Sequence, residues 1–137
     1  MSLTLNGTSG ITSPGGDTSA GNNTISGNLL FNSGYGSAAT AYGCRAWVNF
    51  NGTGTVAISA SGNVSSITDN GVGVYTVNFA TAMPDANYAT LKISGSTGSL
   101  GTYSSDTPQT TTAVGIQDFN SSWNNVDSPY VCVACFR

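Results

Sequence analysis

Apolar and polar residues alternate with a period of two in several short runs of this chain. In residues 45–50, for example, Ala46, Val48 and Phe50 fall on one side, and polar or amphipathic residues fall on the other. A period of two is typical of a half-buried β-strand, because successive side chains point to opposite faces. The same pattern predicts further strands at residues 56–61, 64–68, 74–79, 88–94, 112–119 and 130–136.

The sequence Asp69-Asn70-Gly71 separates two of these runs. Asn-Gly between alternating segments is a strong hairpin signal, since both residues tolerate a positive φ. It therefore predicts an antiparallel hairpin between residues 64–68 and 74–79. The long polar stretch 94–112 is interpreted as a surface loop with room for one short strand.

The first residues of the chain carry few apolar side chains. Leu3, Leu5 and Ile11 are spread over a stretch that has turn signals at residues 13–17 and 21–23. Such a stretch cannot bury a core of its own. Residues 1–24 are therefore predicted to form an extended arm, with these three side chains as assembly contacts, and residues 25–137 to form one domain.

Composition extends this prediction to the fold class. Gly, Ser, Thr and Asn make up half of the chain, and Glu is absent. These residues favour strands and turns over helices. Several short strands with turns between them predict an all-β domain, an antiparallel β-sandwich or a jelly-roll-like domain.

Charge and missing residue types exclude several functions. The chain has no His, which excludes Ser-His-Asp and Cys-His catalysis and imidazole metal sites. Three basic residues and a net charge of −3 leave no footprint for nucleic acid. No apolar run is long enough to span a membrane, and no signal peptide is evident, so synthesis in a host cytoplasm is expected. No metal or other cofactor is predicted.

Cysteines and aspartates offer two chemical alternatives. Cys132 and Cys135 have a C-x-x-C spacing, but residues three apart on a strand face opposite ways. Cys132 is interpreted as a small buried residue, and a disulfide from Cys44 to either thiol stays open. The Asp residues could supply a carboxylate pair for glycoside hydrolysis. Asp69 and Asp85 lie in turn contexts, however, where such side chains usually bond their own backbone.

Two stretches carry a resemblance to a known group of proteins. A module of tail-fibre-like and other virion proteins of tailed bacteriophages, especially those of cyanobacteria and marine bacteria, resembles residues 45–89, RAWVNFNGTGTVAISASGNVSSITDNGVGVYTVNFATAMPDANYA. A leader in the same kind of protein resembles residues 3–14, LTLNGTSGITSP. The long shaft and tail-attachment domain of a full fibre are not evident in this sequence.

This resemblance implies a non-enzymatic structural protein of the virion. The usual assembly in such proteins is a homotrimer, so the expected partners are copies of the chain, other virion proteins and a host surface polysaccharide or receptor. The first expectation is a small tail-fibre or fibre-tip component in assembly or host attachment. The alternatives are a capsid decoration (cement) protein and, less favoured, a polysaccharide-degrading tailspike-type hydrolase.

Three aromatic residues are candidates for receptor or subunit contacts: Trp123, Tyr103 and Tyr35. Trp123 stands in the polar stretch Asn120-Ser121-Ser122-Trp123-Asn124-Asn125, and an aromatic side chain in a polar loop suits recognition as well as packing between subunits. Trp47, which lies within a predicted strand, is interpreted as a packing residue.

Overall fold

A computed structural model describes residues 29–31, 39–95, 100–103 and 108–137 of the chain. The chain divides into two units, Met1–Ala41 and Tyr42–Arg137. In the first unit, β1 (Leu30–Phe31) pairs antiparallel with β2 (Ala39–Thr40). The predicted arm at residues 1–24 lies outside the described residues.

The second unit consists of strands and their connections, and its described residues include no helix. The strands are β3 (Cys44–Asn51), β4 (Ala57–Gly62), β5 (Val64–Gly71), β6 (Val74–Phe79), β7 (Ala89–Ser94), β8 (Leu100–Tyr103), β9 (Ala113–Phe119) and β10 (Val131–Phe136). The strands predicted from the alternation are therefore present, and β8 is the short strand within the long polar stretch.

These strands form two antiparallel sheets that pack together as a β-sandwich, which confirms the predicted fold class. The first sheet has the order β4-β3-β10-β7, and the second has the order β5-β6-β9-β8. The first and last strands of the unit, β3 and β10, are neighbours in the middle of the first sheet. Pairing of sequence-distant strands in this way closes the domain on itself.

The inward faces of both sheets form one apolar core. Its side chains alternate along β3, β6, β9 and β10 as predicted, with Phe50 of β3 and Tyr75 of β6 in edge-to-face contact at 5.1 Å between ring centroids. The remaining core residues are Ala46, Val48, Val77, Phe79, Met83, Tyr88, Val114, Ile116, Val131, Val133 and Cys135.

The β5–β6 hairpin is present, but its turn lies two residues beyond the predicted Asn-Gly step. The ladder shifts register between Asp69 and Gly71 and continues to the Gly71–Val74 pair. Gly73 then takes the positive φ of 68°. Its backbone is also bonded in the fold, because the Gly73 carbonyl accepts a hydrogen bond from the Asp118 amide at 2.7 Å. Long-range bonds to the turn therefore override the local signal.

Tyr75 brings a hydroxyl within this core close to two acceptors. Its Oη donates to Asp127 Oδ1 at 2.7 Å, and it lies 3.1 Å from the carbonyl oxygen of Gly52. Burial is the main cause that raises the pKa of Tyr75, and the hydrogen bond to Asp127 adds to it. The hydroxyl therefore stays protonated in the folded protein at pH values where an exposed tyrosine ionises.

Tyr75→Phe is expected to lower the free energy of unfolding at neutral pH by about 1 to 3 kcal/mol, since it removes the hydrogen bond to Asp127 and leaves the buried Gly52 carbonyl without its neighbouring hydroxyl. This deficit should narrow as the pH rises above 10. There the unfolded wild-type chain releases the tyrosine proton while the folded chain retains it, so wild-type stability falls with pH. Urea denaturation at several pH values measures both effects.

The matched control is Tyr42→Phe, because Tyr42 is 71% exposed. This control should leave the free energy of unfolding close to that of the wild type at neutral pH. A Tyr75→Phe deficit that stays constant from neutral pH to well above pH 10 would show that the hydroxyl does not carry the alkaline loss.

Candidate functional site

Strand β7 faces the core with its polar side chains, whereas an edge strand that packs on an apolar core usually faces it with its apolar side chains. Its apolar side chains Leu91 and Ile93 point outward and are 62% and 71% exposed. Its polar side chains Lys92 and Ser94 point inward and are partly or largely buried. The outer surface of the first sheet therefore carries the residues that a sandwich would ordinarily bury.

Cross-strand pairing extends this outward apolar surface over three strands. Trp47 of β3 lies opposite Ala134 of β10, which lies opposite Leu91 of β7. One step along the sheet, Cys132 lies opposite Ile93 in the same way. We call this surface the outer apolar face, and it comprises Trp47, Leu91, Ile93, Cys132, Ala134 and Tyr130, the last of which is 65% exposed.

The outer apolar face is not flat. A shallow depression of about 540 Å³ lies on it, with Trp47 on one side, Leu91 and Ile93 on the other, and the small side chains of Cys132 and Ala134 between them. Its lining side chains carry no charge at the surface, since the Lys92 ammonium points inward. The face can accept another apolar surface without desolvating a charge.

Two further features of the first sheet bear on contact with another surface: the position of the Trp47 ring and a buried oxygen of Asn49. The Trp47 indole lies directly over Gly62, where an added Cβ would come within 2.4 Å of Nε1, so the ring is held against the sheet. Asn49, a neighbour of Cys132 in the sheet, has a buried side-chain oxygen with no hydrogen-bond partner among the described residues. A buried orphan acceptor of this kind is uncommon and costs free energy.

A buried ionic cluster explains why β7 faces this way. Lys92 Nζ lies 2.6 Å from Asp118 Oδ1 of β9, and their side chains are 5% and 0% exposed. The hydroxyl of Ser94 donates to the same carboxylate oxygen at 2.7 Å, and the hydroxyl of Ser128 donates to Asp118 Oδ2. Because this pair links the two sheets, it fixes Lys92 inward and hence Leu91 and Ile93 outward.

Burial has a measurable consequence for the cluster. It lowers the pKa of Lys92, although the nearby Asp118 carboxylate opposes that shift. Desolvating two charges is expensive, and their attraction repays the cost only with good geometry and further hydrogen bonds. The two serine hydroxyls supply those bonds. The role of the cluster is therefore structural, since it joins the two sheets.

The remaining described carboxylates are also engaged within the fold. Asp69 and Asp85 accept hydrogen bonds from backbone amides two residues ahead, which confirms their predicted turn roles. Asp85 also pairs with Arg137 at 2.6 Å, and this guanidinium is the main cause that lowers the pKa of Asp85. Asp127 accepts from Tyr75 and from the Gly73 amide.

All three cysteines are free thiols. Cys132 and Cys135 point to opposite faces as predicted, but the buried one is Cys135, and the interpretation of Cys132 as the buried residue was wrong. Cys135 faces the core because it lies on the same side of β10 as the buried residues Val131 and Val133. Burial raises the pKa of Cys135. Within the described ranges, no group of three Cys or Asp side chains could hold a metal ion.

Trp123 is exposed, as the recognition hypothesis requires. It is 68% exposed, takes a positive φ of 63°, and contacts Phe119 at 6.2 Å between ring centroids. Tyr103 ends β8, where its backbone pairs with Ile116, but its side chain lies outside the described residues. Four other predicted contact residues lie wholly outside the described residues: Tyr35, Leu3, Leu5 and Ile11.

Sequence reasoning missed the outer apolar face and the buried ionic cluster. The alternation in residues 88–94 does place Leu91 and Ile93 on one side and Lys92 on the other, but it does not tell which side is inward. Asp118 belongs to the other sheet, so no local spacing joins it to Lys92. The one available signal was the presence of a single lysine in the whole chain, within a strand.

Comparison with protein-family models, curated proteins and solved structures finds no significant match for this chain. Among the described residues, no helix is long and apolar enough to cross a membrane.

Proposed function

We propose that this chain is a non-enzymatic structural protein of a bacteriophage virion, a small tail-fibre or fibre-tip component that assembles as a homotrimer. The observation that carries the assembly is the outer apolar face. Leu91 and Ile93 each gain about 1.5 to 3 kcal/mol if they are fully buried, and a lone subunit forgoes most of that. Copies of the same chain are the partners that this proposal places on the face.

The trimeric state and the virion setting come from the resemblance of residues 45–89 to phage virion modules. Low charge and a small-residue composition suit a rigid particle component that performs no turnover. Among the described carboxylates, Asp118 is buried in an ion pair, and Asp69, Asp85 and Asp127 accept hydrogen bonds that serve the fold, so each has a structural role that needs no catalysis.

Two measurements test this proposal. Light scattering of the purified protein is expected to give about three times the chain mass of 13.8 kDa. Quantitative mass spectrometry of purified virions is expected to give a small copy number that matches tail symmetry. A monomeric mass would contradict the trimer, and a copy number close to that of the capsid subunits would favour the decoration role.

Release of reducing ends from host polysaccharide by the purified protein would contradict the non-enzymatic assignment. In that case the reactive carboxylates would have to be sought among all six Asp residues by substitution with Asn.

A further inference from the structure

The loop that follows β9 holds an aromatic side chain out into solvent. Trp123 is 68% exposed although burial of so large a side chain would be favourable. Its φ of 63° lies in the left-handed region, which is unfavourable for a residue with a side chain. Strain of this kind persists where the surrounding structure imposes it, and it clusters at functional sites.

Asn120 imposes that conformation. Its Oδ1 accepts hydrogen bonds from the amides of Ser122 and Asn124, at 2.9 and 3.0 Å. Its carbonyl accepts from the Trp123 amide at 3.0 Å, and its own amide donates to the Asn124 carbonyl at 2.9 Å. One residue therefore organises the whole loop, and the exposed position of the indole is fixed before any ligand arrives.

Two polar side chains lie next to Phe119, the residue whose ring the indole contacts: Asn125 is its bridge partner, and Gln117 shares its side of β9. Asn125 forms a bridge with Phe119, whose ring contacts the indole, and its Oδ1 accepts from Gln117 Nε2 at 2.9 Å. That bond holds the two carboxamides in place and leaves the Asn125 amide nitrogen as a donor and Gln117 Oε1 as an acceptor. The side chains of residues 120–125 are all uncharged.

We propose that Trp123, with Asn125 and Gln117, forms a binding site for a sugar ring of a neutral glycan. A pyranose ring has an apolar C–H face that packs on an aromatic ring, and a rim of hydroxyls that exchange hydrogen bonds with carboxamides. A preorganised aromatic ring beside a few fixed polar groups is the composition expected of a small-ligand site. The site rests on the proposed function for its setting, because a virion tip would meet glycans on the host surface.

The test measures binding of the full-length protein to a panel of immobilised neutral oligosaccharides built from glucose, galactose, rhamnose and N-acetylglucosamine. At least one member is expected to bind the wild type. Trp123→Ala is expected to weaken that binding at least about tenfold, since a truncated aromatic anchor removes most of the contact. Tyr42→Ala, at a side chain that is 71% exposed, is the matched control and should bind as the wild type does.

Asn125→Ala serves as a second variant in case Trp123→Ala does not fold, and it should also weaken binding. Failure of the whole panel to bind the wild type would overturn the site, as would unchanged binding by a folded Trp123→Ala. Light scattering on the same samples separates this proposal from the proposed function. A Trp123→Ala protein that loses its oligomeric mass would identify Trp123 as a subunit contact and overturn the glycan site.

Discussion

Lys92→Met is expected to lower the free energy of unfolding by about 3 to 5 kcal/mol, because it leaves the fully buried Asp118 carboxylate without its cation. Methionine matches the length of the lysine stem, so the loss reports the missing charge rather than a cavity. Urea denaturation at fixed protein concentration measures the change, since stability of an oligomer depends on concentration.

Asp118→Asn should cost less than Lys92→Met. The amide can keep contact with the hydroxyls of Ser94 and Ser128, and a buried lysine can release its proton, which its lowered pKa already favours. Combining the two substitutions should recover part of the loss, because neither partner then remains as an unpaired buried charge. Additive losses in the double variant would contradict a coupled pair.

The Arg137–Asp85 pair is a matched control for burial. Its two charged atoms are also 2.6 Å apart, but both side chains are 39% exposed. Solvent screens an exposed pair and hydrates each partner when the other is removed. Arg137→Met is therefore expected to change stability far less than Lys92→Met, although the two ion pairs have the same separation.

The predictable part of the fold is the part that depends on local pattern. Alternation along β3 and β6 predicted both the strands and their inward side chains, since Phe50 and Tyr75 have no polar competitor for the core. The same reasoning stops at β7. Apolar and polar residues alternate along β7 as they do along the other strands, but the pattern does not show which side faces the core. That orientation depends on Asp118 in the opposite sheet, which binds Lys92.

The candidate sites show the same limit. Trp123 could be selected from its polar surroundings, because an aromatic residue in a run of Asn and Ser has no local apolar partner in sequence. Its strained backbone could not be predicted, since that conformation arises from the four hydrogen bonds that Asn120 organises. The outer apolar face joins residues from β3, β7 and β10, and only the strand order brings them together.

Leu91→Asp is expected to dissociate the proposed trimer while leaving the subunit folded. Leu91 is already 62% exposed on the isolated subunit, so the substitution removes little intramolecular packing. In an assembly that covers the outer apolar face, the same change forfeits about 1.5 to 3 kcal/mol of burial per chain and places an unpaired charge in the contact. Light scattering should then give a mass near 13.8 kDa, and circular dichroism should keep the β-sheet signal.

Val72→Asp is the matched control, because Val72 is 59% exposed at the tip of the β5–β6 hairpin, away from the outer apolar face. It should keep the oligomeric mass of the wild type.

Salt gives an independent check on the outer apolar face. An assembly that buries uncharged apolar surface should resist high sodium chloride and strengthen in sulfate, whereas an assembly that depends on ion pairs should weaken as salt screens them. An unchanged mass for Leu91→Asp would mean that copies of this chain do not meet through Leu91, and the assembly would then have to use another surface.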